Sequence, residues 1–536
     1  MRPEEPLALV WRVGLACLCL GAGYVSLAPI GDGDTFFHLA LGRWMLDHRA
    51  LLPSPDPFVW VARGAAEAPH EWLAQLAMAL VDRAAGLTGL RVLAALCVGG
   101  TLALLFGSIW RSTREPATAL LASALAYALI APHVAMRPHL LGWLFLVVVF
   151  GFVTHNDGSW SRGRYAVLVL TLVAWANCHA SVLIAPALLG LHGLALLVDA
   201  DASDRRAVAT RWAGRAALAL ACALVQPAGP GLIPYVLHSP SVLRGLSAEW
   251  GPLLSLDVWE SAPGALISYA VLATAALCAV LPRRGRAGAI EALVLVLAVA
   301  STRRMTVLLL LPILRLAPRL ASHPAWQRLR LRTAIVATAV ALTLVSALPR
   351  AILVPSGIDL LPATFPTNAI PFLDATRLQG RLLSPDGWGG FLEAHLGPET
   401  PVYADGRWVL VGRQAIEDML AFMLRREPVE TRLDGYGIDW VVQRWLDYRR
   451  APPLNATRWA LAWQDSMTVV LLRRTPAFDD NVARVCRFYA THPELRPQAH
   501  WPGRLVDPRG GPTPTDVPSV LTACPARDPP SLPLRP

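Results

Sequence analysis

The chain has 536 residues, 54% of them hydrophobic and only 16% charged, with a mean hydropathy of +0.44. A soluble domain carries about 25% charged residues, so this apolar excess has to meet lipid, and a string of soluble domains is excluded. The 48 basic and 38 acidic residues leave a formal charge of +10, and every basic residue is Arg; in a multi-span protein that Arg belongs to cytoplasmic loops, not to a nucleic-acid surface.

From Leu7 to Leu348 the sequence alternates apolar runs of roughly 15 to 22 residues with short polar loops, the length scale of a bilayer crossing. The predicted spans are 7–29, 89–110, 116–131, 138–155, 165–177, 181–198, 212–228, 263–282, 288–301, 305–317 and 333–348, giving about eleven transmembrane helices. The first lacks a clean small-residue cleavage site after it and reads as an anchor. With the N-terminus cytoplasmic, the inner loops hold Arg111 and Arg114, Arg162 and Arg164, Arg205 and Arg206, Arg283, Arg284 and Arg286, then Arg328, Arg330 and Arg332. The opposite orientation defies the positive-inside bias. A multi-pass membrane protein is therefore expected, with residues 1–349 as the membrane domain and a large first outer loop at 30–88. Residues 350–500 form an extracytoplasmic α/β or α+β domain, and 501–536 a Pro-rich tail.

The first outer loop carries the sharpest signal. Asp32 and Asp34 form a DxD directly after the first span, and Asp34-Thr35 starts a helix. In that helix Phe37, Leu41, Trp44 and Met45 make an apolar stripe suited to the membrane interface. Asp34, His38 and Gly42 recur one turn apart. Two carboxylates and an imidazole suit general-base chemistry or a divalent metal, Mg or Mn, held by Asp32 and Asp34; the plain alternative is a loop whose Asp caps a helix. Farther on, Asp56-Pro57-Phe58 precedes a strand, and His70-Glu71-Trp72-Leu73 opens another helix.

The topology sends further polar groups to the same face. Arg137 and His139, with His133, lie between the third and fourth spans, and Trp175-Ala176-Asn177-Cys178-His179 between the fifth and sixth. Glu249-Trp250 and His238 belong to the loop after the seventh, and Arg303 and Arg304 lie outside against the positive-inside trend. Guanidinium groups match phosphate geometry. Acidic base and cationic phosphate site together suggest transfer from a lipid-linked phosphate donor.

Beyond residue 350 the chain turns polar. Pro401 to Ala404, Trp440 to Gln443 and Thr468 to Leu472 read as strands, and Arg413 to Arg425 as a helix, with turns at Pro385-Asp386-Gly387, Asp405-Gly406 and Asp434-Gly435. Asp405-Gly406-Arg407 reads as a hairpin-like turn, and Trp388 as a ring able to stack on sugar. Cys486 and Cys524 share an oxidising compartment in this topology, so a disulfide between them would tie down the tail. No Cys/His spacing for a metal appears.

A span, then a DxD-type motif, then an interfacial helix resembles the GT-C superfamily of polytopic glycosyltransferases, and within it a group of bacterial GT-C-like membrane proteins. The matching words are Asp34-Thr35-Phe36-Phe37-His38-Leu39-Ala40-Leu41-Gly42-Arg43-Trp44, Asp56-Pro57-Phe58, His70-Glu71-Trp72-Leu73, Arg137-Pro138-His139 and Trp175 to His179. Later words are Glu249-Trp250, Gly389-Gly390-Phe391-Leu392 and Asp405-Gly406-Arg407. The resemblance implies a polyprenyl-phosphate sugar donor, a glycan, lipid or protein acceptor, and an acidic base in the first outer loop, a role that falls on Asp34 or Asp32. Ala180 stands where the group's pattern has Gly. Two other classes fit a polytopic chain: a non-catalytic accessory subunit of envelope glycan assembly, and a transporter. Transport calls for internal repeats or ionisable residues at span centres; the acidic residues avoid the span centres, and no internal repeat is visible.

Overall fold

The computed structural model describes residues 18, 22–23, 28–51, 56–62, 69–154, 160–255, 263–280, 287–300, 303–329, 336, 340, 359–361, 363–424, 429–450, 454–455, 457–495 and 518–524. They divide into two compact units. Met1–Ile30, Leu41–Leu51 and Ala68–Leu361 make the first; Gly31–Ala40, Leu52–Glu67 and Pro362–Pro536 make the second.

Helix α1 (Asp34–His48) contributes its first residues, to Ala40, to the second unit and the remainder to the first. The first unit is otherwise built from α2 (Trp72–Thr113), α3 (Pro116–Ile130), α4 (His139–Thr154), α5 (Arg162–Ala176) and α6 (Ile184–Asp199). It continues through α7 (Arg205–Ala223), α8 (Leu232–Leu243), α9 (Pro263–Val280), α10 (Ala287–Ala300) and α11 (Leu310–Ser322). Each predicted span from 89–110 to 305–317 overlaps one of these helices; 181–198 and 305–317 begin in the 3-10 turns Ala180–Leu183 and Arg303–Leu309, and 212–228 runs past the end of α7. The predicted spans 7–29 and 333–348 lie almost wholly outside the described residues. Helix α8 occupies what reads in sequence as an outer loop.

Four described segments are long and apolar enough to cross a membrane: Trp72–Thr113, Pro116–His133, Ala180–Asp199 and Met305–Ser322. Their neighbours His139–Val153, Ala265–Val280 and Ala287–Ala300 are shorter apolar helices. Leu96, Leu170, Leu194 and Leu297 point outward, each more than 60% exposed. A surface of outward leucines on apolar helices suits lipid and not water. The chain is a helical polytopic membrane protein.

Local chemistry sets the helix boundaries. Gly86 interrupts α2 with φ 61° and ψ −159°, a region open essentially only to glycine. The α2–α3 turn places Arg114 in the left-handed region at φ 55°, and the Glu115 carboxylate accepts from Thr118 N at 2.6 Å as an N-cap. At the α6–α7 hairpin a Cβ on Gly193 would collide with the Trp212 side chain, so glycine sets the approach of these helices.

A buried charged group built on Glu291 sits among the spans. Glu291 of α10 is fully buried, one turn into its helix, and its Oε2 accepts from Arg315 Nε at 3.0 Å. His192 Nδ1 lies 3.1 Å from the same oxygen, and Arg315 Nη2 donates to the Val153 carbonyl at 2.9 Å. The group therefore ties α6, α10 and α11 to the end of α4.

The second unit is α+β. Strands β1 (Arg381–Leu383), β2 (Ile438–Arg444), β3 (Trp459–Gln464) and β4 (Thr468–Arg473) form a sheet of order β1-β2-β4-β3. The β1–β2 pair is parallel; β2–β4 and β3–β4 are antiparallel. Val469 to Leu472 are wholly buried, as are Val441 and Val442, the continuous apolar run of strands covered by helices. The rings of Phe372 in α12 (Ile370–Thr376) and of Phe488 in α15 (Phe478–Thr491) meet Trp463. Phe422 of α14 (Arg413–Met423) meets Trp459 instead; the irregular register between Leu461 and Trp463 re-aims the second ring. Helix α13 (Asp386–Leu396) follows β1. Cys486 and Cys524 form a disulfide, so α15 is joined to the segment around Val520–Ala523.

Sequence and structure differ at identifiable points. Pro401 to Ala404 is not a strand: Val402 makes an isolated parallel bridge with Val59, with Trp60 N donating to its carbonyl at 3.0 Å. Asp386 begins a helix and Asp434-Gly435 lie on the helix Val429–Tyr436, so neither is a turn. Phe37, Leu41 and Met45 are buried in protein, leaving only Trp44 of the stripe partly exposed. Trp388 is fully buried with its Nε1 donating to the Thr364 carbonyl at 2.7 Å, so it has no face for a sugar.

Candidate functional site

Two polar constellations stand out, one within each unit. In the second unit the first-loop motif begins at Gly31. Asp32 Oδ2 accepts from Thr35 Oγ1 at 3.3 Å, and Phe36 N donates to the Gly33 carbonyl at 3.1 Å, closing the first turn of α1. Asp34 is the first helical residue and half-buried, one turn before the buried His38. Phe36 anchors this start: its ring meets Phe365 at 5.1 Å and Phe391 at 5.0 Å, both edge-on. Buried aromatic packing of this kind fixes a helix N-terminus more firmly than its cap alone.

Three sequence words meet around that start. A Cβ on Gly390 would lie 2.7 Å from both Gly33 O and Phe37 N, and one on Gly389 would overlap the Ala404 carbonyl. Gly389-Gly390 is thus the flat surface that lets α13 touch both the first loop and the segment before Asp405. Asp405-Gly406-Arg407 is a buried Asx turn, with Arg407 N donating to Asp405 Oδ1 at 2.8 Å. Arg407 Nε donates to Asp405 Oδ2 at 2.6 Å, Nη1 pairs with Asp56, and Nη2 lies 3.8 Å from Glu393 Oε1. Asp56 Oδ1 also accepts from Phe58 N at 2.8 Å and Val59 N at 2.9 Å.

One guanidinium therefore faces three carboxyl groups, and burial splits them. Burial raises the Asp56 pKa, but the Arg407 charge and hydrogen bonds from Arg407, Val59 and Phe58 outweigh it and bring the group below its ordinary 3.8. Glu393 is fully buried; burial first, then the neighbouring Asp405 and Asp56 charges, outweigh Arg407 and lift it well above its ordinary 4.5. Both Glu393 carboxyl oxygens are buried. The same guanidinium thus lies against an Asp56 held below and a Glu393 lifted above their ordinary values.

In the first unit the expected residues sort into pairs. His70 Nε2 and His179 Nε2 lie 3.8 Å and 3.5 Å from Glu71 Oε1. His179 Nδ1 lies 2.7 Å from Ser181 Oγ, which also accepts from Trp175 Nε1 at 3.0 Å. Asn177 Oδ1 accepts from Trp72 Nε1 at 2.7 Å, and its amide donates to the Val173 and Val225 carbonyls, both at 2.8 Å. Asn177 therefore joins the start of α2 to the end of α5. Arg137 pairs with Glu249 at 3.3 Å, and the His139 ring reaches the His133 carbonyl at 3.0 Å and lies 6.4 Å from the His179 ring. Arg303 and Arg304 open the 3-10 turn Arg303–Leu309.

Sequence reading missed Glu393 and Ser181. The word Gly389-Gly390-Phe391-Leu392 stops one residue short of Glu393, whose signal is an acid directly after the apolar pair Phe391-Leu392. Ser181 lies two residues after His179, the spacing at which a hydroxyl and an imidazole meet in a turn. Among the described residues no group of three His, Cys, Asp or Glu side chains is arranged to hold a metal ion.

No family model matches the sequence, and no curated protein matches it. Solved structures do. ArnT from Cupriavidus metallidurans in the apo state is similar with a TM-score of 0.51 and 14% identity, over 87% of this chain and 98% of that one. The Archaeoglobus fulgidus oligosaccharyltransferase in complex with zinc and sulfate is similar with a TM-score of 0.50 and 13% identity, over 85% of this chain and 73% of that one. The chain shares the fold of these two solved structures.

Proposed function

We propose that the protein is a membrane glycosyltransferase that moves a sugar from a polyprenyl-phosphate donor to an acceptor at the extracytoplasmic face of the bacterial inner membrane. The observation that carries this reading is Asp34: a half-buried carboxylate at the first residue of α1, one turn before buried His38, in a chain of GT-C fold. Asp34 takes the proton of the acceptor hydroxyl as it attacks the anomeric carbon, with Asp32 and His38 beside it in sequence. Arg137, Arg303 and Arg304 supply the positive charge that the departing lipid phosphate requires, the electrostatic contribution that usually dominates such transfers. His70, Glu71, His139, Asn177, His179 and Glu249 are the remaining substrate-binding candidates. Direct attack opposite the leaving group predicts inversion at the sugar.

The test is release of polyprenyl phosphate from a panel of polyprenyl-phosphate sugars by the purified protein in lipid. Asp34→Asn is expected to lower the rate by about 100-fold or more, the scale of a lost general base. A variant that keeps full transfer activity overturns the assignment.

A further inference from the structure

We infer that the Asp405-Gly406-Arg407 turn is the seat that aims the Asp34 carboxylate, with Arg407 as its positioning residue. This deepens the reading of Asp34 as base and rests on it. All the residues involved lie within the second unit.

Gly406 touches the carboxylate directly. A Cβ built on it would overlap Asp34 Oδ1, come within 2.5 Å of Asp34 Cγ and lie 2.9 Å from Cε1 of Phe37. The φ of Gly406 is not positive, so conformational freedom does not account for glycine here; the space taken by Asp34 does. The surroundings are poorly placed to yield. Asp34 is fixed as the first residue of α1, Phe37 is 5% exposed, and Gly390 closes on Gly33 O and Phe37 N.

The turn under Asp34 is rigid for a separate reason. Arg407 bonds Asp405 through both its backbone N and its Nε, and pairs with Asp56 through Nη1. Its guanidinium lies 5.7 Å over the ring of Phe37, one turn after Asp34. Arg407 is therefore built to hold Gly406 against α1 and has no need to reach substrate. A plain packing role would make the same contacts, but it would not act on turnover through Asp34.

The experiment measures kcat and KM for release of polyprenyl phosphate from polyprenyl-phosphate sugars, using the full-length protein in lipid. Gly406→Ala is expected to lower kcat about 100-fold, the scale of an ångström-sized misplacement. KM for the donor should stay within about twofold. Because Gly406 acts through Asp34, adding Gly406→Ala to Asp34→Asn should lower the residual rate no further. An unchanged kcat in Gly406→Ala, or an equal fall on both backgrounds, overturns the seat while leaving Asp34 as base. If Asp34→Asn is itself fully active, the base assignment falls and the seat with it. Should Gly406→Ala not accumulate as folded protein, Arg407→Lys decides: it keeps the charge but loses the planar fork. Its expected result is a lower kcat at constant KM, and a wild-type kcat overturns the inference.

Discussion

Asp56 and Arg407, 351 residues apart in the chain, form a buried ion pair that ties the first-loop segment to the turn after Ala404. Its worth depends on which partner is removed. Without Asp56, Arg407 keeps its bonds to Asp405. Without Arg407, Asp56 and Asp405 face each other and Glu393 with no cation among them. Arg407→Met should therefore destabilise the second unit by about 3–5 kcal/mol, the scale for an orphaned buried charge. Asp56→Asn, which keeps Oδ1 for Phe58 N and Val59 N, should cost under about 2 kcal/mol. Chemical denaturation of the purified protein gives the order of the two, and the reverse order refutes the charge argument.

Glu393 makes stability depend on pH in a defined direction. Its folded pKa is raised above its ordinary 4.5 by burial first and then by Asp405. Below about pH 4.5 both folded and unfolded chains hold the proton, and the contribution to stability is complete. As pH rises toward the folded value, only the folded chain keeps the proton, so stability falls. Asp56 works the other way: its lowered pKa gives stability present above 3.8 and lost as pH falls through its folded value. From about pH 5 to about pH 8, where Asp56 stays ionised, the unfolding temperature of the wild type should decline relative to that of Glu393→Gln. Parallel curves for the two proteins would contradict a proton held on Glu393.

The disulfide gives a redox prediction. Cys486 and Cys524 are 38 residues apart, and closing a loop of that length removes chain entropy worth about 4 kcal/mol from the unfolded state. A reducing agent should lower the unfolding temperature of the wild type, and the Cys486→Ser/Cys524→Ser protein should start lower and stay unchanged on reduction. The remaining described cysteines, Cys97, Cys178, Cys222 and Cys278, are free. They leave the double variant without a described disulfide to reduce.

How far the sequence carried the fold is clear from particular residues. Apolar run length was enough to locate helices such as α3, α6 and α9, because a span is long and its pattern uniform. Strand β1 is three residues long, too short for an alternation to appear. Phe37, Leu41 and Met45 read as an interfacial stripe because periodicity says which face is apolar and not whether protein or lipid covers it. The individual words of the site, Asp34, Asp56, Gly389-Gly390 and Asp405-Gly406-Arg407, were legible. Their meeting was not, since contact between residues hundreds of positions apart leaves no trace in one sequence. Asp405-Gly406 reads as a hairpin-like turn and is instead an Asx turn leading into the helix Trp408–Val411; what local chemistry does not reveal is that Asp34 lies on it.

Glu291 and Arg315 test whether the charged group among the spans stabilises the helices or only tolerates its own burial. Glu291 is fully buried, with Arg315 Nε at 3.0 Å and the His192 ring at 3.1 Å from Oε2. Removing one charge strands the other in an apolar interior, whereas removing both replaces two desolvated ions with hydrocarbon. Glu291→Leu alone should therefore cost about 3–5 kcal/mol, and Arg315→Leu alone a similar amount. The double variant should be more stable than either single, a coupling well outside the few tenths of a kcal/mol expected of independent sites. Thermal unfolding of the four proteins in one detergent measures the cycle. Additive losses would mean that each side chain acts through its own packing, with Arg315 held by the Val153 carbonyl and not by Glu291.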